Sequence, residues 1–245
     1  MIIKVHEKIQ IICDNSLEEY RAESFFKKEP ETIAWMNSFS QNQVFYDIGA
    51  NIGQYSLYAS LHAGSTVYSF EPYFKNYVRI KENAFINEIK ENFYPLFCAL
   101  SDRCSLDKFF VKDDRISSSG HQLGINVDEH GKEFDAKEEY PIFVYSIDFL
   151  LENFNIQKPN HIKIDVDGNE GRILAGMKKT LVLDSLISVL IEVNSQGEEK
   201  NNAIKMFSDF GFTIDNEFNV LDQHSRNRRK GTKSEIAENI VFTKA

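Results

Sequence analysis

Short β-rich apolar runs alternate with helical segments along most of this chain, and that alternation restricts the fold more than any other feature. Val44-Phe45-Tyr46-Asp47-Ile48 is the first run, and it ends in a glycine. A helical pattern starts at Gly53 and continues through Ser56 to Leu61. Thr66 to Phe70 is the second run, followed by helical periodicity over Phe74 to Asn87 with Tyr77, Ile80, Ala84 and Phe85 on one side. Phe93 to Leu100 reads as the third strand, His161 to Val166 as the fourth, and Glu170 to Thr180 as the helix after it. Leu186 to Val193 is nearly all apolar, as a strand buried on both faces requires. Asn202 to Phe210 reads as a helix stopped by Gly211, and Phe212–Ile214 and Ile240–Thr243 as closing strands. The pattern predicts βαβ units, an α/β fold with a mainly parallel sheet, and helices on both faces. Ligands of such sheets sit beyond the carboxyl ends of the strands. The residues just after each strand are therefore the ones to read for chemistry.

Two segments break the alternation. Residues 1–42 precede the first strand and read as an N-terminal cap, with a helix around Glu31 to Phe39; residues 43–245 form the main domain. Residues 101–148 separate the third and fourth strands and are far longer than an ordinary connection. Leu106–Val111 and Pro141–Tyr145 are strand-like, so the segment reads as a β-hairpin-like insertion with a polar tip, Ser117-Ser118-Ser119-Gly120-His121. Such an insertion is either a binding loop or a surface decoration. No run of about 18 apolar residues exists to span a membrane. The charged start Met1-Ile2-Ile3-Lys4-Val5-His6-Glu7-Lys8 does not resemble an export signal. Cys13, Cys98 and Cys104 form neither a CxxC nor a zinc spacing, which points to a reducing cytoplasm. The formal net charge of −9 argues against nucleic acid as a partner. One basic run, Arg226, Arg228, Arg229, Lys230 and Lys233, is either a solvated loop or a local site for an anionic substrate.

Chemistry concentrates at the strand ends. Asp47-Ile48-Gly49-Ala50-Asn51-Ile52-Gly53 joins the first strand to a helix, and its glycines let a ligand approach the backbone. A dinucleotide fingerprint would need glycine at 51 and 54, where this chain has Asn51 and Gln54. The second strand ends in Phe70-Glu71-Pro72, placing a carboxylate 24 residues after Asp47, where it can accept both hydroxyls of a ribose. Acid, glycine turn and acid describe a nucleoside site without a phosphate clamp. Asp47 could balance the ammonium of S-adenosylmethionine, and Tyr55, Tyr73 and Phe74 lie beside the turns, placed to stack.

The fourth strand ends in Asp165-Val166-Asp167-Gly168-Asn169-Glu170, and the fifth in Glu192-Val193-Asn194. Alternation sends Asp165 and Asp167 to opposite faces, so one can face the site while the other caps the next helix. Repulsion among these carboxylates raises the pKa of at least one, which suits a general base such as Asp165 or Glu192. Asp165, Glu192 and Asn194 are also an oxygen-ligand set for Mg²⁺ or Ca²⁺. Helix capping and solvated turns are the structural alternative. His121 and His130 lie in the insertion within reach of a substrate, although each also reads as an ordinary surface histidine.

At these residues the chain resembles the FkbM family of S-adenosylmethionine-dependent methyltransferases. The matching stretches are Val44 to Gly53, Ser69-Phe70-Glu71-Pro72, Tyr145-Ser146-Ile147-Asp148-Phe149-Leu150-Leu151 and Ile162 to Glu170, in order from about residue 32 onward. Asp167 stands where the family usually has glutamate. The resemblance implies a class I methyltransferase fold: a seven-stranded, Rossmann-like, mostly parallel sheet with one antiparallel strand near the C-terminus. It implies that Asp47, Gly49, Asn51 and Gly53 line the methionine end, that Glu71 and Pro72 lie at the ribose, and that Ala99 and Leu100 lie near the adenine. It also implies a hydroxyl acceptor on a sugar, polysaccharide or natural product. The rival readings are base methylation, an NAD-dependent oxidoreductase and a non-catalytic protein on the same fold. The fourth strand is not followed by [DN]PP[YFW] and no Pro-Cys occurs, which disfavours the first; Asn51 and Gln54 disfavour the second.

Overall fold

The computed structural model describes residues 1–128, 131–195, 197–228 and 237–244, with the backbone alone over 224–228. The N-terminal segment is a hairpin of β1 (Ile2–His6) and β2 (Ile9–Ile12), then helices α1 (Ser16–Lys28) and α2 (Pro30–Met36). The main domain begins with β3 (Val44–Ile48), α3 (Gln54–Leu61), β4 (Thr66–Phe70), α4 (Phe74–Ile86) and β5 (Phe93–Leu96). Next come β6 (Ala99–Leu100), β7 (Ser105–Val111), β8 (Gln122–Leu123) and β9 (Glu138–Tyr145). The chain continues through α5 (Ile147–Asn153), β10 (His161–Ile164), α6 (Glu170–Ala175), α7 (Lys178–Leu181), β11 (Ser188–Asn194) and α8 (Glu198–Asp209). It closes with β12 (Phe212–Ile214), α9 (Asn216–Arg228) and β13 (Ala237–Lys244).

Seven strands form one sheet in the order β12-β13-β11-β10-β3-β4-β5. The pairs β5·β4, β4·β3, β3·β10 and β10·β11 are parallel, whereas β13 runs antiparallel to both β11 and β12. Every residue of β3, β4 and β10 is buried, because helices cover both faces. One face packs Tyr46, Ile48, Ile164 and Ile191 against Ile147 and Leu150 of α5, Leu174 of α6 and Phe207 of α8. The other packs Phe45, Val67 and Leu190 against Phe25 of α1, Trp35 of α2 and Leu57 of α3. The α/β fold and its single antiparallel strand thus match the sequence expectation.

Several details differ from it. The third strand stops at Leu96 on the sheet edge, where Pro95 can be tolerated, and Ala99–Leu100 leaves to pair with β9 instead. Phe85 is 82% exposed although its periodicity places it with buried Ile80 and Ala84. The cap holds a second helix, α1, and a hairpin besides the helix expected there. The insertion is a four-stranded sheet, β6-β9-β7-β8, whose β7 and β9 pair from Ser105↔Val144 to Val111↔Glu138. Its serine tip does not project into water: Ser117 and Ser118 are buried.

Candidate active site

The carboxyl ends of β3, β4, β10 and β11 open into one cleft, the place where sheets of this kind bind their ligands. Its floor is the turn after β3. Gly49 has φ +78°, and a Cβ there would lie 2.0 Å from the Asp165 carbonyl oxygen, so only glycine lets this turn cross the end of β10. Asn51 is also left-handed, at φ 52°. Its N–H donates to Glu71 Oε2 at 2.8 Å, and the Tyr73 N–H donates to Glu71 Oε1 at 2.8 Å. Each oxygen keeps a further lone pair, which is what a ribose diol needs. Burial, above all, pushes the Glu71 carboxyl up to about 8, against the two backbone donors.

Of the residues expected at a cofactor, Gly49, Asn51, Tyr55, Glu71, Pro72, Ala99, Leu100 and Asp165 line the cleft. Asp47 and Gly53 are not among the lining residues. Asp47 is fully buried behind the turn, where Ser56 Oγ donates to its Oδ2 at 2.6 Å; burial raises its carboxyl despite Lys163 nearby. Gly53 serves as the N-cap of α3. Tyr73 is buried with its hydroxyl on the Asp114 carbonyl, and Phe74 is exposed, so neither lines the cleft.

The insertion roofs the cleft. Asn51 Nδ2 donates to the Ser118 carbonyl at 2.9 Å, and Asn76 Oδ1 accepts the Ser117 N–H at 2.7 Å. The Gly120 N–H donates to Asp167 Oδ2 at 2.6 Å. Asp167 therefore pins the roof instead of capping α6, and both it and Asp165 line the cleft, contrary to the opposite-face expectation. The strand has already ended at Ile164, so strict alternation no longer applies. His121 also lines the cleft, packs on Tyr73 with ring centroids 4.5 Å apart, and is pushed down to about 4 by burial. His130, Arg229, Lys230 and Lys233 lie outside the described residues, as do the side chains of Arg226 and Arg228.

The far wall holds a charge cluster. Glu29, Asp165 and Glu192 present carboxylate oxygens all within 4.8 Å of one another. Two lysines interleave with them: Lys28 Nζ lies 2.6 Å from Glu29 Oε1, and Lys163 Nζ lies 2.5 Å from Asp165 Oδ2. The Tyr55 hydroxyl donates to Glu29 Oε2 at 2.7 Å, and Lys163 Nζ sits 4.9 Å from the Tyr55 ring centroid. Burial opposes charge on Glu29, yet Lys28 and Lys163 overcome it and hold Glu29 well below the usual carboxylate range. Burial pushes Glu192 up to about 8, and the charges of Asp165 and Glu29 add to that. Two neighbouring carboxyls are thus driven apart, one ionised and one poised to trade a proton near neutral pH. Three carboxylates suit a hard cation. Lys28 and Lys163 already pair with two of the three, Glu29 and Asp165. Asn194 follows Glu192 along β11 but does not line the cleft.

Sequence reasoning did not find Arg21, Lys28, Glu29 or Lys163. Lys163 carried a usable signal, since it is a lone charge inside an apolar strand and is 1% exposed. Glu29 carried none, because only the tertiary fold brings it to the end of β10.

A family model described as the methyltransferase FkbM domain matches residues 47–228. The hexuronic acid methyltransferase AglP of Haloferax volcanii is 28% identical over 169 residues, 69% of this chain and 63% of that protein. The chain thus spans less than two thirds of AglP's length. The 31-O-demethyl-FK506 methyltransferase FkbM of Streptomyces tacrolimicus is 26% identical over 192 residues, 70% of this chain and 73% of that protein. The solved structure of magnesium protoporphyrin IX methyltransferase from Synechocystis PCC 6803 with bound SAM superposes with a TM-score of 0.52 at 12% identity, covering 96% of this chain and 86% of that one. That likeness concerns the fold, which is the class I methyltransferase fold. No helix among the described residues is long and apolar enough to cross a membrane.

Proposed function

We propose a function that follows from membership: this chain belongs to the FkbM methyltransferase family. It transfers the methyl group of S-adenosylmethionine to a hydroxyl oxygen of a sugar, a glycan or a natural product. The names of the two relatives, one acting on a hexuronic acid and one on a demethylated FK506 oxygen, support that acceptor class. The observation that carries the reading is a single cleft with Glu71 at one side and Glu192 at the other.

S-adenosylmethionine, when bound, supplies an electrophilic methyl group on a sulfonium. The chain's own residues supply position and proton transfer. Glu71 accepts the ribose hydroxyls while Ala99 and Leu100 lie against the base. Gly49 and Asn51 shape the turn beneath. The serine roof over Asn51 covers one side of the cleft, and fixed geometry accounts for much of the acceleration. Glu192 takes the acceptor's hydroxyl proton, and its poise near 8 matches that task. Lys163 and Lys28 keep Asp165 and Glu29 neutralised, so that the wall does not trap the sulfonium as a plain anion site would. The free thiols of Cys13, Cys98 and Cys104 support a cytoplasmic setting.

Calorimetry with S-adenosylmethionine, with NAD in a parallel cell, tests the cofactor. We expect binding of the first alone, weakened about tenfold by Glu71→Ala, because the hydrogen bonds that the Glu71 carboxyl offers a ribose diol are lost. Folded protein that binds neither ligand, or NAD in preference, overturns the reading. Methyl transfer from labelled cofactor to a panel of uronic acids, neutral sugars and polyketide alcohols then tests the acceptor.

A further inference from the structure

The cap helix carries into the cleft a cation that the mechanism above does not use. Arg21 is half-buried on α1 and lines the cleft. Its Nε donates to the Ser117 carbonyl at 3.2 Å, the carbonyl that the Asn51 amide also approaches at 3.4 Å. The Gln54 side-chain amide, at the start of α3, donates to the Arg21 carbonyl at 2.7 Å. These three bonds place Arg21 above the turn after β3.

The other lysines of the cleft are neutralised, Lys28 by Glu29 and Lys163 by Asp165. Arg21 forms no ion pair with a carboxylate among the described residues. Lys28 follows it by seven residues, two turns of α1 and roughly 10 Å along the axis. One helix face thus sets one cation by the Glu29–Asp165–Glu192 wall and another over the turn after β3. A guanidinium offers five donors in a planar fork that fits a carboxylate. With Nε held by Ser117, the terminal nitrogens are already oriented.

We propose that Arg21 is the carboxylate-binding residue of the cofactor site: its guanidinium takes the α-carboxylate at the amino-acid end of S-adenosylmethionine. The assignment rests on the cofactor reading above and adds a residue that precedes the matched family segment, 47–228. The cap is then part of the binding site, because α1 delivers the group that holds one end of the ligand.

The test compares S-adenosylhomocysteine with 5′-methylthioadenosine, which keeps the adenosine and the thioether but lacks the amino-acid carboxylate. Calorimetry is run on the wild type, Arg21→Ala and Arg21→Lys. The expected result is that Arg21→Ala weakens S-adenosylhomocysteine about ten- to hundredfold, the range for a lost charge-assisted pair. Methylthioadenosine affinity stays unchanged, which also shows that the variant is folded, and Arg21→Lys falls between. Unchanged S-adenosylhomocysteine binding in Arg21→Ala overturns the assignment. So does equal weakening of both ligands, since Arg21 would then act through the shape of the cleft. Wild-type protein that binds neither ligand overturns the cofactor reading itself, an outcome seen before any substitution is made.

Discussion

Glu192 and Glu29 belong to one cluster, yet their carboxyls are pushed in opposite directions, Glu192 up and Glu29 down, and the difference lies in where the lysines sit. Lys28 pairs with Glu29 directly, whereas Glu192 meets burial and two neighbouring negative charges. If Glu192 takes the acceptor's proton, the rate must rise with pH as its carboxyl ionises, with a midpoint near 8. Glu192→Gln removes the base, and kcat is expected to fall by about 10²–10⁴-fold, the usual span for general-base loss. The remaining activity should lose the midpoint near 8. A pH–rate profile on both proteins checks this, and an unchanged midpoint in the variant would return Glu192 to a structural role. Asp165, Glu192 and Glu71 were legible because each lies at the carboxyl end of a strand, and strand ends are where such folds place their sites. Glu29 was not legible, since nothing local to Lys28-Glu29-Pro30 announces that it meets Asp165 across the fold.

Helix α1 is the element that the sequence displayed and apolar periodicity overlooked. It buries only Glu18, Ala22 and Phe25, too thin a stripe to stand out. Its start was nonetheless written in Asn15 and Glu18: Asn15 Oδ1 accepts the Leu17 and Glu18 N–H groups, and Glu18 Oε2 accepts the Asp14 N–H and the Asn15 amide. That reciprocal pattern is close to a capping box and depends on spacing alone. The third strand misled for the opposite reason. Phe93 to Leu100 is apolar throughout, and apolarity does not say that Ala99–Leu100 will pair with β9 in another sheet. Because α1 carries Arg21 and Lys28 to the cleft, its cap is a functional matter. Asn15→Ala should destabilise the protein by about 1 kcal/mol, as lost caps do. Urea denaturation measures it, and a shift below about 0.3 kcal/mol would mean that packing of Phe25 alone fixes the helix.

At the scale of the whole molecule, the cap is fastened to the sheet through a buried carboxyl. Glu31 of α2 is fully buried, and its Oε1 accepts from Asn239 Nδ2 of β13 at 2.9 Å. Burial pushes Glu31 up to about 7; Glu29 and Asp222 add to this, and the Asn239 bond opposes it. An unfolded glutamate titrates near 4.3, so the folded chain holds this proton more tightly. Its contribution to stability is complete below about pH 4.3 and is lost as the pH rises towards about 7. Glu31→Gln keeps an acceptor for Asn239 and has no proton to release. The variant should therefore match the wild type near pH 4.5 and exceed it at pH 8 by on the order of 2 kcal/mol. Glu31 does not line the cleft, so binding of S-adenosylhomocysteine should be the same in both proteins. Parallel stability curves at the two pH values would show that Glu31 ionises in the fold at no cost. In that case the cap would be held by the packing of Trp35, Phe25 and Phe45, and removing the Asn239 contact would barely loosen it.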